Sequence, residues 1–149
     1  MSNFDDLKRR QISETIQKKI PIPIENIGTR LKDIRESMGM TQKQLAKRIN
    51  ISQPVVSKIE ENAATSSLIN VERYARIFGI DFQGVFTSEK AMEEIIKGQA
   101  EKKAKQILDR TFSNMAMEKQ APQEDAYKFQ LNQLIEELSA NPSSKLWED

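Results

Sequence analysis

The spacing of apolar residues predicts a group of short helices in the first half of the chain. Between residues 27 and 78, apolar side chains recur every three or four positions, which is the period of an amphipathic helix. Gly39, Asn50 and Gly79 follow three of these groups, and both residue types tolerate the left-handed backbone that ends a helix. We therefore expect helices over about 27–38, 41–49, 52–62 and 67–78. The residues expected to face inwards are Leu31, Ile34, Arg35, Met38, Leu45, Ala46, Ile49, Val56, Ile59, Leu68, Val71, Tyr74, Ala75 and Ile77.

Weaker elements flank this helical group. Residues 4–20 carry an incomplete apolar stripe that predicts an N-terminal helix. The run Pro21–Ile24 then forms a stiff connector, because each proline lacks a donor and pushes its predecessor towards extended backbone. Residues 80–86 alternate apolar and polar side chains, and this alternation predicts one short strand.

A long helical pattern follows Ser88, which we expect to be its N-cap. Its apolar residues predict a helix of about 25–30 residues, either continuous or broken near Gly98. Pro122 ends or restarts the pattern, and a last helix stops before Pro142. The residues of the long stripe are Met92, Ile95, Ile96, Ala100, Ala104, Ile107, Leu108, Phe112 and Met115, and those of the last helix are Tyr127, Leu131, Leu134, Ile135 and Leu138. The predicted fold is all-α with at most one short strand.

The composition removes several classes of chemistry. The 149 residues include no histidine and no cysteine, so the commonest general base and every thiolate metal site are excluded. The carboxylate pairs Glu93–Glu94 and Glu136–Glu137 are adjacent in helical patterns and point about 100° apart, so neither pair converges on one substrate. We expect no enzyme activity, no metal and no cofactor. The N-terminus lacks a signal-peptide core and no apolar run could span a membrane, so we expect a cytoplasmic protein.

The segment Thr41–Asn62 predicts two short helices joined by a tight turn. Thr41 and Gln44 have the spacing of a capping box at the start of the first of these helices. Ser52 is expected to cap the second helix, and Pro54 suits its first turn, where a missing donor costs little. This arrangement predicts a DNA-binding helix-turn-helix, whose second helix enters the major groove by its N-terminal end.

Side chains of this segment suit contact with double-stranded DNA. Gln53 can pair with adenine N6 and N7, and Val55 can contact a thymine methyl group. Residues 26–62 also hold seven Lys or Arg against four acids, whereas the net charge of the chain is +1. A basic surface binds phosphates without reading sequence. The predicted DNA-binding residues are Gln42, Lys43, Ser52, Gln53, Pro54, Val55, Ser57 and Lys58.

The pattern Thr-Gln-x-x-Leu-Ala-x-x-Ile followed by Ser-Gln-x-x-Val-Ser-x-Ile-Glu resembles the Cro/repressor-type helix-turn-helix of phage and bacterial regulators. The resemblance spans about residues 28–79 and implies DNA binding. Asn50 and Asn62 stand where that family usually has glycine, and turn geometry tolerates both substitutions. The alternative is a helical core whose motif has lost DNA contact and now serves dimerisation.

A second resemblance covers nearly the whole chain. The segments Ile34–Gln42, Lys103–Gln120 and Lys145–Asp149 resemble the bacterial family called mobile mystery protein A. That resemblance implies an adjacent gene for a Fic-domain protein, and an arrangement similar to a toxin-antitoxin pair. Fic inhibitors carry the pattern Ser/Thr-x-x-x-Glu-Gly/Asn, which Ser57–Asn62 matches, but base recognition by the helix-turn-helix already explains these residues.

The C-terminal stripe allows two interpretations. It is either an internal seam packed on the last helix and the helix-turn-helix unit, or a surface for a second subunit or the Fic partner. Dimers are usual for this motif, so we expect a homodimer formed through residues 80–140. The expected organisation is residues 1–25 as helix and linker, 26–80 as DNA-binding domain and 81–149 as dimerisation or partner-binding region. The expected function is an antitoxin-like autorepressor; the alternative is a module that inhibits a Fic adenylyltransferase.

Overall fold

The computed structural model describes residues 3–117 and 124–149, and side chains within that range except those of 115–117. The described residues form helices and turns without a strand, which confirms the all-α fold class. The chain divides into two compact units, Met1–Val85 and Phe86–Asp149. The helices are α1 (Asn3–Gln17), α2 (Ile27–Ser37), α3 (Gln42–Ile49), α4 (Gln53–Glu61), α5 (Leu68–Arg76), α6 (Met92–Met117) and α7 (Glu124–Ala140), with 3-10 turns at Ile24–Asn26, Ala63–Thr65 and Ser144–Trp147.

Helices α2 to α5 enclose the core of the first unit. Each helix contributes the apolar stripe that its sequence predicts, and removing these side chains from water is the main force that holds the helices together. Gly39 and Gly79 have φ angles of +73° and +71°, so both take the left-handed backbone that ends a helix. The buried cluster consists of Ile27, Leu31, Leu45, Ala46, Val56, Ile59, Ala63, Val71, Tyr74 and Ala75.

A close backbone approach joins α2 to the end of α4. A Cβ atom on Gly28 would lie 2.5 Å from the carbonyl oxygen of Glu60 and 2.7 Å from that of Ile59. No side chain fits in this space, so glycine at position 28 lets the two helices pack closely enough to bury their facing side chains.

Helix α1 lies against α2 through polar contacts at the surface. Lys8 Nζ lies 3.1 Å from Asp33 Oδ1, and Arg9 Nε donates to the Ser37 carbonyl oxygen at 3.0 Å. The Arg9 bond supplies a cation at the C-terminal end of α2, where the carbonyl groups lack helical partners. No residue of α1 is buried, so this helix contributes little to the core.

Two predictions about the segment before α6 are wrong. Residues 80–86 are irregular, because Ile80 and Phe82 pack on the helical core and the described residues offer no second strand for pairing. Ser88 does not cap α6: its hydroxyl bonds the backbone of Lys90 in a local turn, and the helix begins at Met92.

Two residues that were expected to face inwards are exposed. Leu68 is 72% exposed, because it opens α5 before the buried side of that helix begins at Val71. Met38 is 56% exposed, because it follows the last residue of α2 as its C-cap. In both cases the helical period is correct, but the residue lies at a helix end beyond the packed core.

The second unit is a helical hairpin of α6 and α7, completed by the C-terminal tail. Helix α6 runs through Gly98 without a break, and its buried side is made of Ala100, Ala104 and Leu108. The predicted residues of α7 are half-buried: Tyr127, Leu131, Leu134, Ile135 and Leu138. Other stripe residues, Met92, Ile95 and Ile107, are exposed. Met115 and Pro122, which also entered the prediction, lie outside the residues whose side chains are described.

The tail is anchored on α6 by a buried side chain and two hydrogen bonds. Leu146 is 1% exposed. Gln99 Nε2 donates to the Leu146 carbonyl oxygen at 3.0 Å, and Lys103 Nζ donates to that of Glu148 at 2.6 Å. At the other end of the hairpin, the rings of Phe112 and Tyr127 meet edge to face with centroids 5.1 Å apart. The tail therefore forms part of the core of this unit.

Among the described residues, no helix combines the length and the apolar content needed to cross a bilayer.

Candidate nucleic-acid interface

The junction of α3 and α4 is fixed by caps and by one left-handed residue. Thr41 Oγ1 accepts a hydrogen bond from the Gln44 amide at 3.2 Å, and Gln44 Oε1 accepts one from the Thr41 amide at 2.9 Å. This reciprocal capping box satisfies two amide groups at the start of α3. Asn50 then turns the chain with φ 58° and ψ 46°. These local contacts set the direction in which α4 leaves α3.

Helix α4 has one buried side and one exposed side. Val56 and Ile59 are almost completely buried in the core of the unit. Facing away from them, the exposed residues of the first turn and the next are Gln53, Pro54, Val55 and Lys58, with Ser57 half-buried beside them. The exposed side thus offers an amide and a methyl surface in the first turn of α4, and a hydroxyl and an ammonium group further along the helix.

Ser52 occupies the N-cap position of α4, but its hydroxyl does not cap the helix. Its backbone is extended, at φ −76° and ψ 152°, as an N-cap requires. Pro54 lacks an N–H, and the amides of Val55 and Val56 both bond the Ser52 carbonyl oxygen, at 3.1 and 3.2 Å. No nearby amide remains for the hydroxyl, so the predicted side-chain cap is wrong. The Ser52 side chain is exposed at the entrance to α4.

Helix α3 presents further polar side chains. Lys43, Lys47 and Arg48 are exposed, so their cationic groups can reach an anionic partner. Gln42 is half-buried, and its Nε2 donates to Glu60 Oε2 at 2.8 Å. The sequence predicts Gln42 as a DNA-binding residue, and the structure gives its side-chain amide a protein partner.

The partner of Gln42 belongs to a buried polar cluster that joins four helices. Glu60 receives four hydrogen bonds: Arg35 Nε and Tyr74 Oη at 2.5 Å on Oε1, and Arg35 Nη2 at 3.1 Å and Gln42 at 2.8 Å on Oε2. Arg35 Nη1 also donates to the Met40 carbonyl oxygen at 2.7 Å, in the turn before α3. A buried carboxylate with this many donors fixes the mutual position of the helices that supply them.

The contacts of the cluster determine its protonation. Burial alone would raise the pKa of Glu60, but the hydrogen bonds from Arg35, Tyr74 and Gln42 outweigh it and hold that pKa below its ordinary value. The hydrogen bond to Glu60 raises the pKa of Arg35 against the opposing effect of burial. Burial, followed by the hydrogen bond to Glu60, raises the pKa of Tyr74. Glu60 and Arg35 are therefore an ion pair at neutral pH, and Tyr74 is a neutral donor.

Sequence reasoning missed this cluster as a unit. It placed Arg35 and Tyr74 on inward faces and noted Glu60 only as part of a motif. A signal was present, since Arg35 stands beside Ile34 in the apolar stripe of α2, and Glu60 follows Ile59 in that of α4. Two opposite charges on inward faces of neighbouring helices indicate a buried pair, because an unpaired charge in a core is very unfavourable.

A family comparison agrees with this geometry. The model of the family described as Helix-turn-helix matches residues 31–85, which contain α3, the turn and α4. Residues 31–85 form a helix-turn-helix domain. No solved structure matches the chain.

Two curated proteins share sequence with parts of the chain. The propionyl-CoA carboxylase regulator of Cereibacter sphaeroides is 36% identical over 62 residues, which cover 42% of this chain and 13% of the regulator. The immunity repressor protein of Bacillus phage phi105 is 32% identical over 83 residues, 56% of either chain. The chain thus spans about half of one relative and a small part of the other. The resemblance to mobile mystery protein A is not confirmed by these matches and stays a prediction.

Proposed function

We propose that the chain is a cytoplasmic, sequence-specific transcriptional repressor that binds double-stranded DNA through its major groove with α4, and that its target is the promoter of its own gene. One observation carries the proposal. Helix α4 buries Val56 and Ile59 on one side. On the other side it exposes Gln53 and Val55 in the first turn, which follows a tight turn of the chain, and Lys58 further along the helix. A helix presented in this way fits a major groove about 12 Å wide.

Base recognition is assigned to the exposed side of α4. The Gln53 amide has the donor and acceptor that a bidentate contact with adenine N6 and N7 requires. Val55 offers methyl groups to thymine, and Ser57 and Lys58 lie one turn further along. Pro54 fixes the first turn without removing a useful donor. These residues are proposed to read sequence.

Phosphate binding is assigned to residues at the edges of this side. Lys43 is an exposed cation on α3. Ser52 is also exposed, and its hydroxyl makes no capping bond to a helix amide. Gln42 opens α3, where backbone amides favour an anion. Such contacts place the helix on the duplex, and the Lys43 cation adds salt-dependent affinity. The names of the two relatives, a regulator and a repressor, support the broader proposal of a transcriptional regulator.

A homodimer formed through residues 81–149 completes the proposal, with residues 26–80 as the DNA-binding domain. Large apolar side chains of the second unit are exposed, among them Met92, Ile95, Phe129 and Trp147. Burying such side chains against a second subunit is favourable, and two copies of α4 would then read two half-sites of an operator. Size measurement of the full-length protein with and without DNA tests this assembly.

The decisive experiment compares variants of the full-length protein on DNA from upstream of its own gene. We expect Gln53→Ala/Lys58→Ala to abolish specific binding at physiological salt while the protein stays folded. The matched control is Gln17→Ala/Lys18→Ala, which removes the same side-chain types from exposed positions at the end of α1, outside both the DNA-binding domain and the proposed dimerisation region. Specific binding that survives in the first double variant, or fails equally in the control, contradicts the proposed recognition helix.

A second candidate function is inhibition of a Fic-domain enzyme, with DNA binding secondary or absent. The exposed apolar side chains of the second unit are suited to contact with another protein. The Fic-inhibitory pattern Ser57–Asn62 lies on α4, where Ser57 Oγ lies 3.5 Å from Glu61 Oε1 and Glu61 is exposed. Co-purification with the product of a neighbouring Fic gene tests this candidate. Loss of that complex on Glu61→Ala would support it, and a complex that survives the change would place any Fic contact elsewhere.

A further inference from the structure

Gln42 stands at the boundary between the buried polar cluster and the surface assigned to DNA. It opens α3, it is half-buried, and its amide group reaches inwards to Glu60 Oε2 at 2.8 Å. The other donors to that carboxylate, Arg35 and Tyr74, are buried. Gln42 is therefore the member of the cluster through which Glu60 can influence a ligand at the surface.

The chemistry of Glu60 determines which way the Gln42 amide points. An ionised carboxylate accepts hydrogen bonds and cannot donate, so the group that faces it must be the Nε2 amino group. One N–H of that group is used by Glu60, and the second N–H is left to bond another acceptor. A side chain held in this way gives up little conformational freedom when a phosphate accepts its second N–H.

We propose that Glu60 is a positioning residue for DNA binding, which acts by holding the Gln42 amide in the orientation that donates to a DNA phosphate. This inference rests on the proposed DNA-binding function. Glu60 lies in the last turn of α4, the helix that also carries Gln53 and Lys58. One carboxylate thus ties a phosphate donor on α3 to the helix that reads the bases, and it sets their relative position.

Glu60 also stabilises the fold through Arg35, so the experiment must separate positioning from stability. A double-mutant cycle in the full-length protein does this, with Gln42→Ala, Glu60→Gln and both together. Affinity for the bound DNA is measured at one fixed salt concentration and at a temperature at which every variant is folded. If Glu60 acts through Gln42, Glu60→Gln weakens binding about tenfold. In the Gln42→Ala background Glu60→Gln should have no further effect on affinity, although it still lowers stability.

Tyr74→Phe is the matched control, because it removes a different donor from the same carboxylate and leaves Gln42 in place. We expect this variant to be less stable than the wild type but to keep the wild-type affinity for DNA. A loss of affinity that is the same for Tyr74→Phe and Glu60→Gln, or that persists in the Gln42→Ala background, would show a structural role and overturn the inference.

Two further measurements keep the inference testable if Glu60→Gln does not fold. Glu60→Asp retains the charge opposite Arg35 and withdraws the carboxylate from Gln42 by one methylene, so it should reproduce the loss of affinity. In the unmodified protein, relaxation of the Gln42 side-chain amide should give an order parameter close to the roughly 0.85 of rigid backbone, and a value below about 0.6 would contradict the proposal. If Gln53→Ala/Lys58→Ala still binds, the proposed function fails; if it does not bind while Glu60 proves independent of Gln42, only this inference fails.

Discussion

The two units of the chain obtain their cores in different ways. In Met1–Val85 four helices enclose large apolar side chains together with a buried ion pair whose carboxylate has four donors. In Phe86–Asp149 the buried residues of the described part are Ala100, Ala104, Leu108 and Leu146, and the polar contacts lie at or near the surface. The core of the first unit therefore fixes its four helices in one geometry. The core of the second unit is small, and the tail supplies part of it through Leu146.

The difference shows how each unit can serve recognition. A rigid core with a complete hydrogen-bond network holds exposed side chains in fixed positions, which suits the reading of a regular surface such as a DNA groove. A hairpin with a small core leaves large apolar side chains in solvent, which suits association with another protein surface. Changes to single residues can test whether the two cores differ as described.

The largest effect is expected for Glu60→Ala. Without the Glu60 carboxylate, the buried Arg35 cation keeps only the Met40 carbonyl oxygen and the half-exposed Glu36 carboxylate at 3.8 Å. We expect the free energy of unfolding to fall by roughly 3–5 kcal/mol. Denaturant titration, with circular dichroism as the signal, measures the loss of stability. Asp109→Ala in the second unit removes the acceptor of Tyr127 at an exposed site, and its loss should be much smaller, because water replaces the bond.

The stabilisation that Glu60 provides should depend on pH. The pKa of Glu60 is lowered in the folded protein from 4.5, so its contribution is complete above about pH 4.5 and is lost as pH falls through the folded pKa. The stability difference between wild type and Glu60→Ala should shrink in acid below that value. A difference that stays constant from neutral pH to pH 3 would contradict an ionised Glu60 in the core.

Leu146→Ala is the corresponding test of the second unit. Its side chain is buried on α6, so its truncation should cost roughly 2–5 kcal/mol and should lower the hydrogen-exchange protection of α6. The neighbouring Trp147, which is 56% exposed, provides the control, because Trp147→Ala removes a larger but less buried side chain. Equal losses in the two variants would mean that the tail is not anchored through Leu146.

Two glycines should respond in opposite directions. A Cβ on Gly28 would overlap backbone atoms of α4, and we expect Gly28→Ala to cost about 1–3 kcal/mol. A Cβ on Gly98, within α6, would point into open space with no neighbouring atom within 4 Å, so Gly98→Ala should stabilise the second unit by roughly 0.5–1 kcal/mol. Thermal unfolding of both variants measures these changes, and a stabilised Gly28→Ala would refute the close approach.

The smallest effect concerns the two helix starts. Thr41→Ala removes one half of the capping box and should cost about 1 kcal/mol. Ser52→Ala removes a hydroxyl that makes no capping bond, so its stability should stay within about 0.5 kcal/mol of the wild type. Chemical denaturation distinguishes these values. If Ser52→Ala lowered the free energy of unfolding as much as Thr41→Ala, the Ser52 hydroxyl would be a helix cap, and that would contradict the structure.

Much of the fold follows from local patterns in the sequence. Apolar spacing predicts the helices, Gly39 and Asn50 predict their ends, and the Thr41–Gln44 spacing predicts the capping box, because each depends on residues close in the chain. Alternation at 80–86 predicted a strand wrongly. Local pattern cannot show whether a partner strand exists, or that Ile80 and Phe82 pack on helices instead.

The parts of the site that depend on distant residues could not be predicted in this way. Glu60 meets Arg35, 25 positions earlier, and Tyr74, 14 positions later, and their hydrogen bonds exist only once four helices have packed. Leu146 similarly lies 47 positions from Gln99, which binds its carbonyl group. The outward position of Gln53 and Lys58 follows from the helical period, but the inward bond of Gln42 does not.

The most direct test of the central claim is a base-substitution scan of the bound DNA with wild type and Gln53→Ala. If α4 reads the major groove, the wild type should lose about 1–3 kcal/mol of binding free energy when one particular A·T pair is replaced. Gln53→Ala should become indifferent at that pair and still discriminate at others. A Gln53→Ala variant that keeps the wild-type preference at every position would contradict the proposal that α4 recognises the bases.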